Sequence, residues 1–467
     1  MSDHSPKPTV VIAGASGFVG SALGPRLKDR FRVVGLSRTA RANAAFDEVR
    51  SCDLFSLLEA ERALEGAQYA VYLVHSMMPS ARLTQGRFDD LDLICADNFA
   101  RAAARAGVQQ IVYLGGLLPA SGALSTHLAS RAEVERVLAS RGTPTTVLRA
   151  GLVLGSGGSS FEMLRRLVQR LPAMALPTWT RTPSQPVGLD DLCESLSHVL
   201  GRTEHFGGSY DVGTPRPATY EEVLRQTAEL LGRRRFFVRV PLLSPGLSRL
   251  WVSLVTGAPR ALVGPLVKSL RTPMVVDERR RLRIPGREPQ DMRAALAAAL
   301  EQAAASTPHA FVGSRARGER DLVRSVQRMQ LPASWNAERA AHEYVNWLPR
   351  ALGGFLSVMH RSDGAVEFRL AVLRLPLLVL SPAPARSTPD RQLFYLTGGA
   401  LARMRPGGRP RFELRQVLDN HTLLTVVHDF EPRLPWWLYR CTQALFHAWV
   451  MSRFGRHLAA SDLSSHQ

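Results

Sequence analysis

Three glycines, Gly14, Gly17 and Gly20, follow a short β-prone run, Thr9-Val-Val-Ile12, and open an amphipathic pattern carried by Val19, Leu23 and Leu27. That order of parts reads as a buried strand turning tightly into a helix, whose N-terminus attracts an anion. Gly14 permits the turn, Gly17 lets the backbone approach a pyrophosphate, and Gly20 lets the helix pack on the strand. With Ser16, Phe18 and Val19 of the same loop, they form the expected grip on a dinucleotide. The end of the second strand selects between dinucleotides. An acidic residue there would hold a ribose 2′-hydroxyl and repel a 2′-phosphate, whereas this chain offers the hydroxyl of Ser37 and the guanidinium of Arg38. NADP(H) is therefore expected in preference to NAD(H). Asp53, beside Leu54, either accepts a bond from an adenine amino group or caps a helix.

Strand and helix alternate around these residues. Strands are expected at 10–13, 32–36, 69–74, 110–114 and 145–148, with a further short one before Cys52, and helices at 21–29, 56–65, 89–106 and 128–140. This is the pattern of an α/β fold, a Rossmann-type doubly wound parallel sheet covered on both faces. Ligands of such sheets bind beyond the carboxyl ends of the strands, so Val74-His75-Ser76 and Gly151 are expected at the site with the residues already named. Residues 151–305 are more helical and read as a substrate-binding extension of a domain covering 1–305. A linker at 306–320 then leads to a separate α+β domain at 321–467. That domain has strand-like runs at 324–330, 365–373, 393–398, 410–418 and 422–430, a helical pattern at 337–351 and a long closing helix near 435–459. An Asp419-Asn420 turn joins the last two strands.

The 467 residues carry a formal charge of +19, yet only three of the 59 basic residues are lysines (7, 28 and 268). The arginines are scattered and accompany no recognition motif, so nucleic acid is not expected as a partner. The four cysteines at 52, 95, 193 and 441 have no metal or CxxC spacing, which points to a reducing, cytoplasmic compartment. No charge-free run reaches the ~18 residues of a membrane span. Attachment to the inner face of the membrane stays open: Trp436, Trp437 and Trp449 with Arg440 and Arg453, joined by a helix at 245–271, would suit a bilayer surface.

Further motifs carry a family resemblance. Tyr72-Leu-Val-His-Ser-Met77, Leu148-Arg-Ala-Gly-Leu-Val-Leu-Gly155, Ser160-Phe-Glu-Met163 and Pro186-Val-Gly-Leu-Asp-Asp-Leu192, with the glycine motif, resemble the atypical, extended NmrA-like short-chain dehydrogenase/reductase proteins. Active members of that family use Tyr-x-x-x-Lys, and no tyrosine stands four residues before any lysine here. In the matching helix stands His127-Leu-Ala-Ser-Arg131, and Gly115-Gly116 replaces the family's serine. By that resemblance His127 takes the place of the proton donor and Arg131 that of the group holding the nicotinamide ribose. His75 is a second candidate for proton transfer. Arg149, Glu162 and Arg181 either line the substrate pocket or form structural ion pairs, and Asp190-Asp191 reads as a helix cap.

The C-terminal domain resembles the helix-grip (SRPBCC-like) fold in strand order and closing helix. Trp436, Trp437, Leu438, Leu445, Phe446, Trp449, Val450 and Phe454 would then face its sheet or cavity. The expected activity is an NADPH-dependent reduction of an apolar carbonyl or enone-like small molecule. The alternatives are a non-catalytic NADP-binding regulatory or assembly protein and a peripheral membrane lipid-handling protein.

Overall fold

The computed structural model describes residues 6–39, 41–75, 83–240, 253–259, 263–264, 269–305 and 322–464. The chain divides into two units, residues 1–78 with 95–312 and residues 79–94 with 313–467.

The N-terminal unit is built on a seven-stranded sheet: β1 (Thr9–Ala13), β2 (Arg32–Ser37), β3 (Glu48–Ser51), β4 (Tyr69–Tyr72), β5 (Gln110–Gly116), β6 (Thr145–Ala150) and β7 (Ser209–Val212). They lie in the order 7-6-5-4-1-2-3 and all pair in parallel. The β-branched run of β1 sits at the centre, and Val10, Val11, Ile12 and Ala13 have no exposed surface, as a sheet covered on both faces demands. Between the strands run α1 (Phe18–Leu27), α2 (Leu57–Ala63), α3 (Phe88–Ala106), α4 (Thr126–Ala139), α5 (Ser159–Arg170) and α6 (Leu189–Val199). The extension adds α7 (Tyr220–Leu230) and α8 (Met292–Ala305). Thr219 and Glu222 close a reciprocal capping box on α7, which fixes where that helix starts.

The second unit holds β8 (Val323–Gln330), α9 (Ala337–Ala351), β9 (Leu356–His360), β10 (Val366–Leu370), β11 (Leu375–Pro382), β12 (Arg391–Gly398), β13 (Arg411–Val417), β14 (Thr422–Phe430), α10 (Trp436–Cys441) and α11 (Gln443–Ser464). Its sheet runs 9-10-11-12-13-14-8, antiparallel throughout. An eighth strand at the edge, Leu83–Gln85, pairs in parallel with β8 and comes from far upstream in the chain. Leu418, Asp419 and Asn420 all adopt positive φ, so the expected Asp419-Asn420 turn does join β13 to β14. Phe412 and Leu414 face an aromatic core with Tyr344, Trp347 and Phe454.

The closing helix departs from expectation. It breaks at Thr442 (φ −127°, ψ −82°), so α10 and α11 are separate segments and present different faces. Trp437 (69% exposed), Leu445 (63%) and Trp449 (43%) face solvent in large part, while Val450 and Phe454 are buried as expected. The interdomain linker at 306–320 and most of the 245–271 helix lie outside the described residues.

Alternation along β13 puts Arg411, Glu413 and Arg415 opposite the aromatic core, and all three are buried. Glu413 accepts from Arg391 at 3.0 Å and its Oε2 lies 2.6 Å from Arg415. Burial would raise its carboxyl, but Arg391 and Arg415 outweigh that and hold it well below the usual range. Burial, then the neighbouring Arg411, also lowers His428, so it stays neutral well below its ordinary pKa.

Two outcomes follow from this architecture. In a chain ending at residue 305 the strand Leu83–Gln85 has no β8 to pair with, so limited proteolysis should cut within 83–94, a stretch the full-length protein protects. Equal protection in both chains would contradict that pairing. Because unfolded His428 binds a proton below pH about 6.5 and the folded residue does not, stability should fall from pH 7 to pH 5. Thermal melts should show this, and His428→Gln should reduce the slope. An unchanged slope would contradict the burial of a neutral histidine.

Candidate active site

The turn after β1 has little steric freedom. Gly14 adopts φ +88°, and the Gly17 amide donates to the Gly14 carbonyl at 2.9 Å. A Cβ on Gly17 would lie 3.0 Å from that carbonyl oxygen, and one on Gly20 only 2.3 Å from it. Only glycine fits at position 20. The same positions leave the backbone bare at the N-terminus of α1, where Ser16 and Gly17 are exposed and no side chain caps the helix. Such a cradle suits the pyrophosphate of a dinucleotide. Phe18 packs against Gly155 and Gly158, where added Cβ atoms would meet its ring at 2.8 and 2.9 Å, while Val19 is half-buried beside it.

The remaining expected cofactor residues lie at the carboxyl ends of neighbouring strands. β1 pairs with β2 on one side and β4 on the other, so the crevice opens at the reversal of strand order. Ser37 ends β2 in register with Ser51, and Arg38 beyond it is exposed. Asp53 is half-buried and turns the chain by accepting from the Phe55 amide at 3.1 Å. It is not the helix cap, because Ser56 takes that place on α2. Leu54 is buried, and its carbonyl accepts from Asn98 at 2.8 Å. Val74 and His75 follow β4, whereas Ser76 lies outside the described residues.

The candidates for chemistry converge. His75 and His127 have ring centroids 5.1 Å apart, tilted by 58°. His127 stands near the start of α4, which Ser125 caps, and Arg131 follows one turn later on the same face. A Cβ on Gly116 would lie 3.1 Å from Leu128, a tight approach, and 3.9 Å from the Arg131 stem, an ordinary contact. Next to them is a cavity of about 180 Å³ lined by Gly116, His127, Ala150, Gly151, Met163 and Leu164 on one part and by Trp179, Tyr220 and Met274 on another.

Tyr220 and Trp179 had no signal of their own in the sequence. Tyr220 is the first residue of α7, and the Thr219–Glu222 capping box that fixes this helix start is the trace that could have located it. Burial pushes its phenol up to about 12, against a smaller opposing effect of Ser184, so it is protonated at neutral pH. The alternatives left open for the other polar residues resolve toward structure. Arg149 is buried and pairs with Glu135 at 2.6 Å and Asp211 at 3.9 Å. Glu162 accepts from Arg165 and Arg166; burial raises its carboxyl, but the two guanidiniums more than offset this. Arg181 is exposed at the end of a short 3₁₀ turn. Asp190 and Asp191 occupy the first turn of α6. Asp190 pairs with Arg26, and Asp191 accepts from the Gln290 amide at 2.8 Å and from Arg287 at 3.1 Å. No helix among the described residues is long and apolar enough to cross a membrane.

Comparison with known proteins follows this geography. The auxiliary protein GraX of Staphylococcus aureus is 32% identical over 114 residues, which are 24% of this chain and 37% of GraX. The chain thus spans little more than a third of that relative's length. Sanguinarine reductase of Eschscholzia californica is 27% identical, over 46% of this chain and 92% of the reductase. Among solved structures, an NADPH-dependent quinone oxidoreductase from Escherichia coli superposes with a TM-score of 0.50 at 18% identity, covering 62% of this chain and 98% of that one, a likeness of fold. Residues 10–123 match the NAD dependent epimerase/dehydratase family, in agreement with the Rossmann-type sheet of the N-terminal unit.

Proposed function

We propose that the protein is an NADPH-dependent oxidoreductase of the atypical short-chain type, acting on an apolar carbonyl or enone-like molecule held in the 180 Å³ cavity. The observation that carries this reading is the position of His127. It lines that cavity together with Gly116, Ala150 and Gly151 at the carboxyl ends of β5 and β6, and His75 stands against its ring. The largely apolar lining favours a substrate of the same character. Sanguinarine reductase, alike over nearly its whole length, supports the reaction class.

In this reading the turn from Gly14 to Gly20 receives the pyrophosphate, and Ser37 and Arg38 receive the 2′-phosphate. The bound NADPH supplies a hydride. His127 donates the proton that a carbonyl oxygen requires, and imidazole suits that task near neutral pH. Arg131 holds the ribose hydroxyls and remains charged throughout. His75 stands beside the donor, and the protonated phenol of Tyr220, on the wall of the same cavity as His127, helps to orient the substrate oxygen.

A second reading, a non-catalytic NADP-binding regulatory protein, is favoured by one observation: Tyr-x-x-x-Lys is missing from the chain. The likeness to GraX, an auxiliary protein, is consistent with it. We also read the C-terminal unit as helix-grip-like (SRPBCC-like), on the strength of its antiparallel sheet and the helix Gln443–Ser464. The domain division at 306–320 belongs to the same proposal.

Fluorescence titration should give tighter binding of NADPH than of NADH. Arg38→Ala should remove about 1.5–3 kcal/mol of that preference, the worth of a charged hydrogen bond. Equal affinities in the unaltered protein would overturn the cofactor assignment. His127→Gln should abolish NADPH oxidation with any accepted enone or carbonyl while leaving NADPH affinity within about twofold. Full turnover by that variant would remove His127 from the mechanism. No turnover by the unaltered protein across a broad apolar panel would favour the regulatory reading.

A further inference from the structure

The second unit forms a part-open cavity of about 400 Å³, within the range of small-molecule sites and more than twice the volume of the one beside His127. Leucine and phenylalanine side chains make most of its wall, among them Leu348, Phe368, Leu378, Leu396 and Phe412. No Arg, Lys, Asp or Glu lines it among the described residues.

Besides the hydroxyls of Tyr344 and Tyr439, its polar groups come from Gln85, Ser325, Gln443 and His447. Gln85 stands in register with Ser325 across the edge of the sheet, and its Nε2 donates to the Ala444 carbonyl at 2.9 Å. That bond fixes which way the amide faces, and Gln85 Oε1 is left buried with no hydrogen-bond partner. Gln443 Oε1, one residue before Ala444, is in the same condition. His447 Nε2 lies 3.2 Å from Ser325 Oγ, and burial lowers the imidazole to about 4, so it carries no charge at neutral pH.

An acceptor that is buried and unmet costs stability, and native proteins seldom leave one without a donor. Water could meet Gln85, but the mostly apolar wall offers it few further hydrogen-bond partners. A carboxylate or phosphate would be buried here with no countercharge.

We propose that this cavity binds a neutral, mostly apolar small molecule that presents one hydroxyl or N–H group to Gln85 Oε1. The wall is supplied by β8–β14, α9 and α11, while the specificity-determining acceptor comes from the edge strand Leu83–Gln85, 359 residues away from Ala444 in sequence. The inference rests on the second unit alone and stands whether or not the other unit transfers hydride.

Displacement of Nile red from the full-length protein at pH 8 tests it, with three probes of one chain length: decan-1-ol, 1-methoxydecane and decanoate. Decan-1-ol should bind about tenfold more tightly than the ether, and decanoate most weakly. Gln85→Met should erase the alcohol–ether difference while leaving ether affinity within twofold. Leu396→Trp, which fills the cavity, should weaken all three. Equal alcohol and ether affinities in the unaltered protein, or tightest binding by decanoate, would overturn the proposal whatever the variants do. Decan-1-ol binding that survives Leu396→Trp in a folded protein would overturn the location.

Discussion

The N-terminal unit depends on a close approach between the end of its central strand and the start of its first helix. The Gly14 carbonyl oxygen occupies space that a Cβ at position 20 would reach at 2.3 Å. Without that approach α1 could not sit against β1, and its free amides could not stand at the crevice between β1 and β4. Residues that share no sequence neighbourhood take their places from the same sheet. Arg38, Asp53, His75, Gly116 and Gly151 each end or follow a strand of it. The glycines therefore do more than tolerate a ligand: they set the plane on which the site is assembled.

Around that plane the polar residues divide by partner. Arg149, Glu162 and Asp191 are held in ion pairs or backbone bonds that lock helices to strands, and a buried charge so engaged is poorly placed for chemistry. His75 and His127 stand ring against ring at the edge of an apolar cavity.

Much of this was legible in the sequence, where one periodicity dominates. Thr9–Ala13 and Gln110–Gly116 are β-branched or apolar runs bounded by glycine, and Ala337–Ala351 repeats apolar residues at helical spacing. Leu375–Pro382 escaped because consecutive leucines and two prolines hide the alternation of a strand. Leu83–Gln85 escaped because three residues without an apolar run carry no period; β8, over two hundred residues later, makes them a strand. Leu445 and Trp449 were misplaced because the helix breaks at Thr442 before them, and a break of that kind has no compositional mark. The motifs located His75 and His127 individually. Their meeting is a property of the tertiary structure, as is the arrival of Tyr220 and Trp179 from the extension.

The account turns on whether a nicotinamide dinucleotide lies across this plane with its reactive end at the histidines. A crystal structure of the full-length protein with NADPH measures that directly. The account predicts the pyrophosphate against the amides following Gly14, the 2′-phosphate at Arg38, and the nicotinamide ring between Gly151 and His127. A nicotinamide ring far from both histidines, or a dinucleotide bound elsewhere on the chain, would contradict it.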